Sequence, residues 1–269
     1  MLFFAFFFGL IIGSFLNCLV WRMHTGEGLL NRSYCPKCKK QIAWYDNIPV
    51  LSFLALGGKC RHCKKKISFQ YPLVELLTGI LFALAFYLNY QRDFAGLGEG
   101  YRALDFFSAF DARFILEILR DWFFIAVMII IFIYDLRWYL ILDIITLPAC
   151  FILFLLNLTL GVSWLNLLLS GIIGGSFFLA QFLVSRGKWI GGGDIRLGLL
   201  MGLALGWPNV LAAILLAYFI GSIAGLGLIL TGRKKWGSEV PLGVFLSFAS
   251  VITLFWGSEM LNWYLKLFY

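Results

Sequence analysis

The sequence predicts an all-α fold: a polytopic membrane protein with about eight transmembrane helices and a small cytoplasmic insert that resembles a zinc ribbon. Three observations lead to this fold class. Hydrophobic residues make up 61% of the 269-residue chain and charged residues only 13%, which excludes an ordinary globular surface. The apolar residues form eight runs separated by more polar connections. Two Cys-x-x-Cys pairs lie in the first of these connections.

The eight apolar runs define the predicted helices, because about 20 helical residues cross a bilayer core of ~30 Å. The runs are residues 2–20, 72–90, 122–134, 139–161, 164–185, 195–207, 208–231 and 243–268. The third and sixth runs are short and must borrow flanking residues, so we expect Asp135 and Asp194 at or inside helix ends. The predicted parts are a first transmembrane helix over residues 1–20, a polar domain with four cysteines over 21–71, and a transmembrane domain over 72–269.

The basic residues predict the orientation, since Lys and Arg concentrate in cytoplasmic connections. Seventeen of the 22 Lys and Arg residues fall in residues 21–71 and in the turns that share their side. That segment, Asp135 and Asp194 should therefore face the cytoplasm, and both termini should face outward. The first apolar run lacks a basic segment before it and a cleavage site, so we interpret it as a retained span. The formal charge of +8 suits anionic headgroups of the inner leaflet and requires no nucleic-acid partner.

Four cysteines in the polar insert predict a metal site. Cys35 and Cys38 form one pair and Cys60 and Cys63 the other, with 21 residues between the pairs. Two such pairs can bring four thiolates to one tetrahedral zinc ion, and four thiolates leave no open position for water. A reducing cytoplasm argues against two disulfides. We therefore expect a structural zinc site.

Asp135 and Asp194 are the candidate catalytic residues. A carboxylate between apolar segments is costly to desolvate, so it indicates a functional site. Two neighbouring carboxylates rarely both ionise, so one can activate water while the other protonates a leaving amine, as in aspartic-type peptide hydrolysis. Two other functions use the same features: a proton-coupled transporter with paired aspartates, and a non-catalytic assembly platform. A structural alternative is that Asp135 pairs with Arg137 or Arg196.

Three glycines precede the second aspartate. Gly191, Gly192 and Gly193 allow the backbone to unwind and to approach an extended substrate closely, with Asp194 opening the next helix. A phosphate-binding loop is disfavoured, because the glycines follow a membrane span rather than a strand.

Three charged residues are candidates for site support. Glu75 lies in the first turn of the second span, where the helix dipole favours a negative charge, and on the predicted cytoplasmic side. Asp143 follows Asp135 by eight residues, about two helical turns, so it can approach Asp194. Arg196 provides a positive charge beside that aspartate.

Gly13, Ser14 and Asn17 lie at the end of the first span and allow two interpretations. Small residues permit close helix packing and Asn17 can hydrogen-bond across a helix interface. The same three residues are candidates for binding a cofactor.

These motifs resemble those of the type IV prepilin peptidases, or prepilin leader peptidase/N-methyltransferases. This family shares a Gly-x-Gly-Asp motif with the presenilin group of intramembrane aspartyl proteases. The resemblance covers nearly the whole chain and rests on residues 13–17, the two Cys pairs in order, and residues 44–49, 71–75 and 191–194. It implies that Asp135 and Asp194 are the catalytic pair.

The resemblance also implies a function. The enzyme would cut the basic leader from type IV prepilins or pseudopilins after a glycine, at the cytoplasmic face of the bacterial inner membrane. It would then methylate the new N-terminus with S-adenosylmethionine, in a reaction to which the region 21–71 would contribute.

The chain shows three departures from the family pattern. Leu142 stands where the family often has Pro, Arg196 where it has Lys, and residues 241–244 read Pro-Leu-Gly-Val instead of Pro-Phe-Gly-Pro. Arg196 keeps its charge, so we expect activity to survive, with the changes affecting loop geometry.

Overall fold

The computed structural model describes residues 1–28, 31–94, 111–235 and 240–267. Within these residues the regular structure is helical, apart from two isolated β-bridges, Tyr34 with Gln41 and Lys59 with Lys66. The nine α-helices described are α1 (Leu2–Thr25), α2 (Leu51–Ala55), α3 (Gln70–Phe94), α4 (Ala112–Trp138), α5 (Asp143–Thr159), α6 (Trp164–Ser185), α7 (Gly192–Leu205), α8 (Asn209–Leu230) and α9 (Leu242–Leu265). A 3-10 turn covers Trp44–Asn47.

Each of the eight apolar runs folds as a helix, which confirms the predicted fold class. By length and composition, five of the described helices can cross a membrane, namely α1, α3, α6, α8 and α9, and α5 is a shorter apolar helix. The two short runs do borrow flanking residues: α4 extends to 27 residues and α7 begins three residues before its run. The fourth run differs, since residues 139–142 form a connection and its helix begins at Asp143.

The chain divides into two compact units, residues 1–107 and residues 108–269. In the first unit α3 packs along α1. The two helices approach closely because glycines face the contact. A Cβ added to Gly9 would lie 2.8 Å from the Cα of Gly79, and one added to Gly13 would lie 2.8 Å from the Cα of Glu75.

The second unit is built around α7. Its residues Leu197, Leu200 and Met201 are fully buried among the neighbouring helices. Helix α6 packs against it at van der Waals distance, since a Cβ on Gly202 would lie 2.1 Å from the carbonyl oxygen of Ser170. Larger residues cannot occupy this crossing without separating the helices.

The C-terminal end of α7 is held by a side chain from α5. The buried amide of Asn157 donates to the carbonyl oxygens of Leu203 (2.8 Å) and Ala204 (3.2 Å). Terminal carbonyls of a helix lack partners within the helix. Asn157 supplies a partner for two of these carbonyls. It therefore holds the C-terminal end of α7, the end opposite Gly192.

Candidate active site

Asp135 lies in the last turn of α4 and is 5% exposed. Its Oδ2 accepts a hydrogen bond from the backbone N–H of Val244 (3.1 Å), in the first turn of α9. The first N–H groups of a helix have no acceptor within the helix, and the helix dipole attracts a negative charge there. The start of α9 therefore binds the carboxylate of Asp135.

Gly243 allows this contact. A Cβ at Gly243 would lie 2.8 Å from Oδ2 of Asp135 and 3.1 Å from Cδ1 of Ile141. Val244, which departs from the family pattern, takes part in this contact. The family pattern has proline at that position, and proline has no N–H to donate. Val244 supplies one to Asp135.

Asp194 lies in the first turn of α7 and is 8% exposed. Its Oδ2 accepts a hydrogen bond from the backbone N–H of Gly191 (3.0 Å), and its own N–H donates to the carbonyl oxygen of Gly191 (3.2 Å). Such bonds cap the start of a helix, with Gly191 as the N-cap residue and Asp194 three residues later. The sequence therefore fixes Asp194 locally, in the first turn of α7.

One side chain connects the surroundings of Asp135 and Asp194. Ile141, in the connection after α4, packs between Gly193 and Gly243. A Cβ at Gly193 would lie 2.8 Å from Cβ of Ile141, and one at Gly243 would contact the same side chain. Ile141 thus packs against a glycine next to each of the two aspartates.

The neighbouring charges are paired with each other. Arg196 forms a salt bridge with Asp143, and both side chains are roughly half exposed. The pair links the starts of α5 and α7. Among the described residues, no salt bridge involves Asp135, so the geometry does not place Arg137 or Arg196 on its carboxylate.

The three glycines before Asp194 have different surroundings. Gly191 is the N-cap residue of α7, and Gly193 packs against Ile141. A Cβ on Gly192 would have no heavy atom within 4 Å, so this position faces open space. The backbone at Gly192 is accessible beside the carboxylates.

Glu75 belongs to the N-terminal unit, as does a strained turn that contacts it. Its carboxylate accepts a hydrogen bond from the N–H of Val50 (2.8 Å). Val50 has φ 59° and ψ −50°, and the N–H of Leu51 donates to the carbonyl of Pro49. This is a γ-turn with positive φ, an unfavourable conformation for a β-branched residue.

The remaining candidates on α1 have separate environments. Gly13 faces α3, as described above. The side chain of Asn17 donates to the carbonyl oxygen of Tyr71 (3.1 Å), so it links α1 to the start of α3. Ser14 also lines a cavity in the same unit. Packing therefore accounts for the contacts of Gly13 and Asn17.

The four cysteines of the insert converge. Their sulfur atoms all lie within 4.8 Å of one another, and those of Cys35 and Cys63 are 3.9 Å apart. Tetrahedral zinc with Zn–S bonds of about 2.3 Å requires sulfur separations of about 3.8 Å. N–H groups of Cys63 and His62 lower the pKa of the Cys60 thiol to about 6, which favours the thiolate form that binds a metal.

The backbone around the two cysteine pairs repeats. Lys39 donates its N–H to the carbonyl of Cys35, and Lys64 does the same to Cys60. Both lysines have positive φ, 59° and 57°. Two equivalent turns therefore present the sulfur atoms from opposite sides, and this donor set fits a metal ion.

Three partners of these groups were not predicted from the sequence: the N–H of Val244 for Asp135, the N–H of Val50 for Glu75, and the side chain of Ile141 between the glycines. One signal was available. Pro241 favours a helix start, and the N–H groups that follow such a start bind anions. The other partners follow only from the packing of separate elements.

The fold and site together define the class: a polytopic membrane protein with a buried pair of aspartates at helix ends and a compact insert with four cysteines. Residues 7–89 match the family model of the bacterial peptidase A24 N-terminal domain. Residues 122–226 match that of the type IV leader peptidase family.

Proteins named prepilin leader peptidase/N-methyltransferase are similar to the chain over nearly its full length. The chain is 32% identical to the protein of Aeromonas hydrophila, over 98% of this chain and 93% of that protein. It is 32% identical to that of Bacillus subtilis over 99% of each, and 30% identical to that of Pseudomonas aeruginosa over 96% and 91%. No solved structure matches the chain. The chain belongs to the type IV leader peptidase family, which confirms the resemblance.

Proposed function

We propose that the protein is an aspartic endopeptidase of the bacterial inner membrane that removes the basic leader from prepilins or pseudopilins. The observation that carries the proposal is the buried pair Asp135 and Asp194, each bound by a backbone N–H at the start of a helix, in a chain of this family. The names of the relatives supply the substrate class.

The pair can perform both proton transfers of peptide hydrolysis. Two adjacent carboxyl groups share one proton, because both do not readily ionise side by side. The ionised carboxylate removes a proton from water, and the water oxygen attacks the carbonyl carbon. The protonated carboxyl then donates its proton to the leaving nitrogen as the C–N bond breaks. The proton belongs to the pair, so neither aspartate is assigned the acid role alone.

The accessible backbone at Gly192 supports binding of an extended segment. A helical substrate has no free backbone groups, whereas an extended chain can hydrogen-bond to exposed N–H and C=O groups. We assign Gly191, Gly192 and Gly193 to this role, with Asp143 and Arg196 holding the starts of α5 and α7 together.

A second activity is methylation of the new N-terminus. The relatives' names include an N-methyltransferase. S-adenosylmethionine supplies a methyl group on a sulfonium, and the neutral amine of the substrate accepts it. The amine gives up one proton in the exchange, and a neutral thioether remains. Both activities agree with the two family regions in the chain.

We assign zinc to Cys35, Cys38, Cys60 and Cys63. The four thiolates would hold the ion in a closed tetrahedral site, which stabilises the insert and has no open position for catalysis. The distribution of Lys and Arg supports an insert and aspartates that face the cytoplasm, termini that face outward, and contact of the basic side with anionic lipid.

Purified protein and a synthetic prepilin, with and without S-adenosylmethionine, test both activities by the mass of the product. We expect a shortened product, heavier by one methyl group when the donor is present. Asp135→Asn and Asp194→Asn should abolish cleavage in folded protein. Asp111→Asn is the matched control, since Asp111 caps the opposite end of α4 and asparagine caps equally well. Cleavage by either catalytic variant at the parental rate would refute the assignment.

The alternatives predict different results. A transporter predicts proton-coupled flux in proteoliposomes and no processed prepilin, whereas a platform predicts no shortening by the purified protein alone. For the metal, we expect one zinc ion per chain in elemental analysis, with loss of the ion in Cys35→Ser or Cys60→Ser. A metal-free parental protein would contradict the zinc assignment.

A further inference from the structure

Helix α2 presents two large apolar side chains at the surface of its unit. Leu51 and Leu54 are 63% and 67% exposed, and residues three apart lie on the same face of a helix. Trp44, in the 3-10 turn that packs against α2, is also exposed. An exposed apolar cluster of this kind indicates a surface that contacts another molecule or a membrane.

The position of α2 is fixed beside the start of α3. The N–H of Val50, the residue before α2, donates to Glu75 in the second turn of α3. The ring of Phe53 on α2 contacts the ring of Phe69, which directly precedes α3, with centroids 6.0 Å apart. At a rise of about 1.5 Å per residue, Glu75 lies about 7 Å beyond the start of α3. Helix α2 therefore lies at the level of the first two turns of a candidate membrane span.

The exposed apolar surface of α3 continues onto α2. Leu73, Leu76 and Ile80 are exposed on α3. Together with Phe69 they recur every three or four residues, so all four lie on one face. An exposed apolar face on a membrane span suits lipid chains. Because the ring of Phe69 contacts that of Phe53, this face extends from α3 to α2 without interruption.

Four lysines lie next to this apolar surface. The N–H of Ile67 donates to the carbonyl oxygen of Gly58 (2.8 Å), and a β-bridge joins Lys59 to Lys66, so the lysine segment is held against the turn that follows α2. All four are exposed, and in the described parts of the chain no salt bridge involves them: Lys59, Lys64, Lys65 and Lys66. Residues 59–66 include no Asp or Glu. Basic clusters beside a membrane span bind anionic lipid.

We infer that α2 is an interfacial anchor, with Leu51 and Leu54 in the headgroup region of the cytoplasmic leaflet and the four lysines on anionic headgroups of the same leaflet. The inference rests on the proposed contact of the basic side with anionic lipid and names the segment that makes it. Apolar burial and electrostatic attraction add in such binding. The insert with four cysteines is thereby held on the membrane surface.

Hydrogen exchange of the full-length protein in lipid nanodiscs tests the anchor. The amides of α2 should exchange about tenfold more slowly in discs that contain phosphatidylglycerol than in discs of phosphatidylcholine alone, since each lysine near an anionic surface contributes about fivefold to binding. This comparison needs no substitution. A triple variant should lose most of the difference between the two kinds of disc: Lys64→Gln, Lys65→Gln and Lys66→Gln.

The matched control is a triple variant in the other cysteine turn: Lys37→Gln, Lys39→Gln and Lys40→Gln. It removes the same charge and leaves the lysines beside α2 in place, so the protection by anionic lipid should persist. The thermal midpoint of each variant checks its fold. Equal loss of protection in the two triple variants would overturn the inference, as would equal exchange of parental α2 in the two kinds of disc.

Photo-crosslinking identifies what covers the apolar face. The photoreactive residue p-benzoylphenylalanine in place of Leu54 should react with phospholipid, and the mass of the adduct identifies the lipid. The same residue in place of Ile80 is the positive control, since Ile80 is exposed on a candidate membrane span. Crosslinks from position 54 to a prepilin, to a second copy or to another part of the chain would show a protein partner and overturn the inference.

Leader cleavage by the same protein in detergent reports on Asp135 and Asp194, which lie in the other unit. Cleavage that persists while α2 shows no lipid contact would place the error in the anchor. Loss of cleavage with α2 on the lipid would place it in the proposed peptidase function.

Discussion

Gly243→Ala should slow leader cleavage without unfolding the protein. The added Cβ would lie 2.8 Å from Oδ2 of Asp135, whereas ordinary van der Waals contact begins at 3.4 Å, so the carboxylate must withdraw by about 0.6 Å. Ile141 lies 3.1 Å from the same Cβ and limits movement in its direction. A misplacement of 1 Å costs about 100-fold in rate, so we expect kcat to fall roughly tenfold.

Stability should change little, because alanine is favoured over glycine in a helix by about 1 kcal/mol, and this gain opposes the cost of the contact. The assay compares kcat and KM for a synthetic prepilin with the thermal midpoint of the same sample. Gly225→Ala is the matched control, since its added Cβ would have no heavy atom within 4 Å. If Gly243→Ala cleaved within twofold of the parental rate, cleavage would not depend on the present position of the Asp135 carboxylate. The role assigned to Gly243 would then be wrong.

Substitutions at three further positions test the packing within each unit. Gly202→Ala should lower the thermal midpoint, because its Cβ would lie 2.1 Å from the carbonyl oxygen of Ser170. Overpacking of this kind costs about 1–3 kcal/mol or more. An unchanged thermal midpoint would contradict the close crossing of α6 and α7. Asn157→Ala removes the partner of two buried carbonyls and should destabilise by about 1–3 kcal/mol in the same measurement. Glu75→Ala should speed hydrogen exchange at the Val50 amide, because it removes the acceptor of that N–H. Glu75→Gln keeps an acceptor and should protect the amide better. Equal exchange rates in the two variants would count against the hydrogen bond between Val50 and Glu75.

Much of the fold could be predicted from the sequence, because hydropathy and spacing are local properties. Eight apolar runs specify eight helices, since backbone groups in a bilayer must be satisfied within each segment. The shortness of two runs placed Asp135 and Asp194 at helix ends, where the structure has them. The Cys-x-x-Cys spacing likewise predicted four sulfur atoms around one centre, because each pair forms its own turn.

Tertiary structure alone decided which groups meet. Val244 lies 109 residues after Asp135, and Arg196 lies 53 residues after the Asp143 that it binds. Neither contact has a periodic or spacing signal, because both depend on how separate helices pack. The sequence by itself determined the class of the protein and the position of each carboxylate along its helix. Packing determined that Ile141 fits between Gly193, which precedes Asp194, and Gly243, which contacts Asp135.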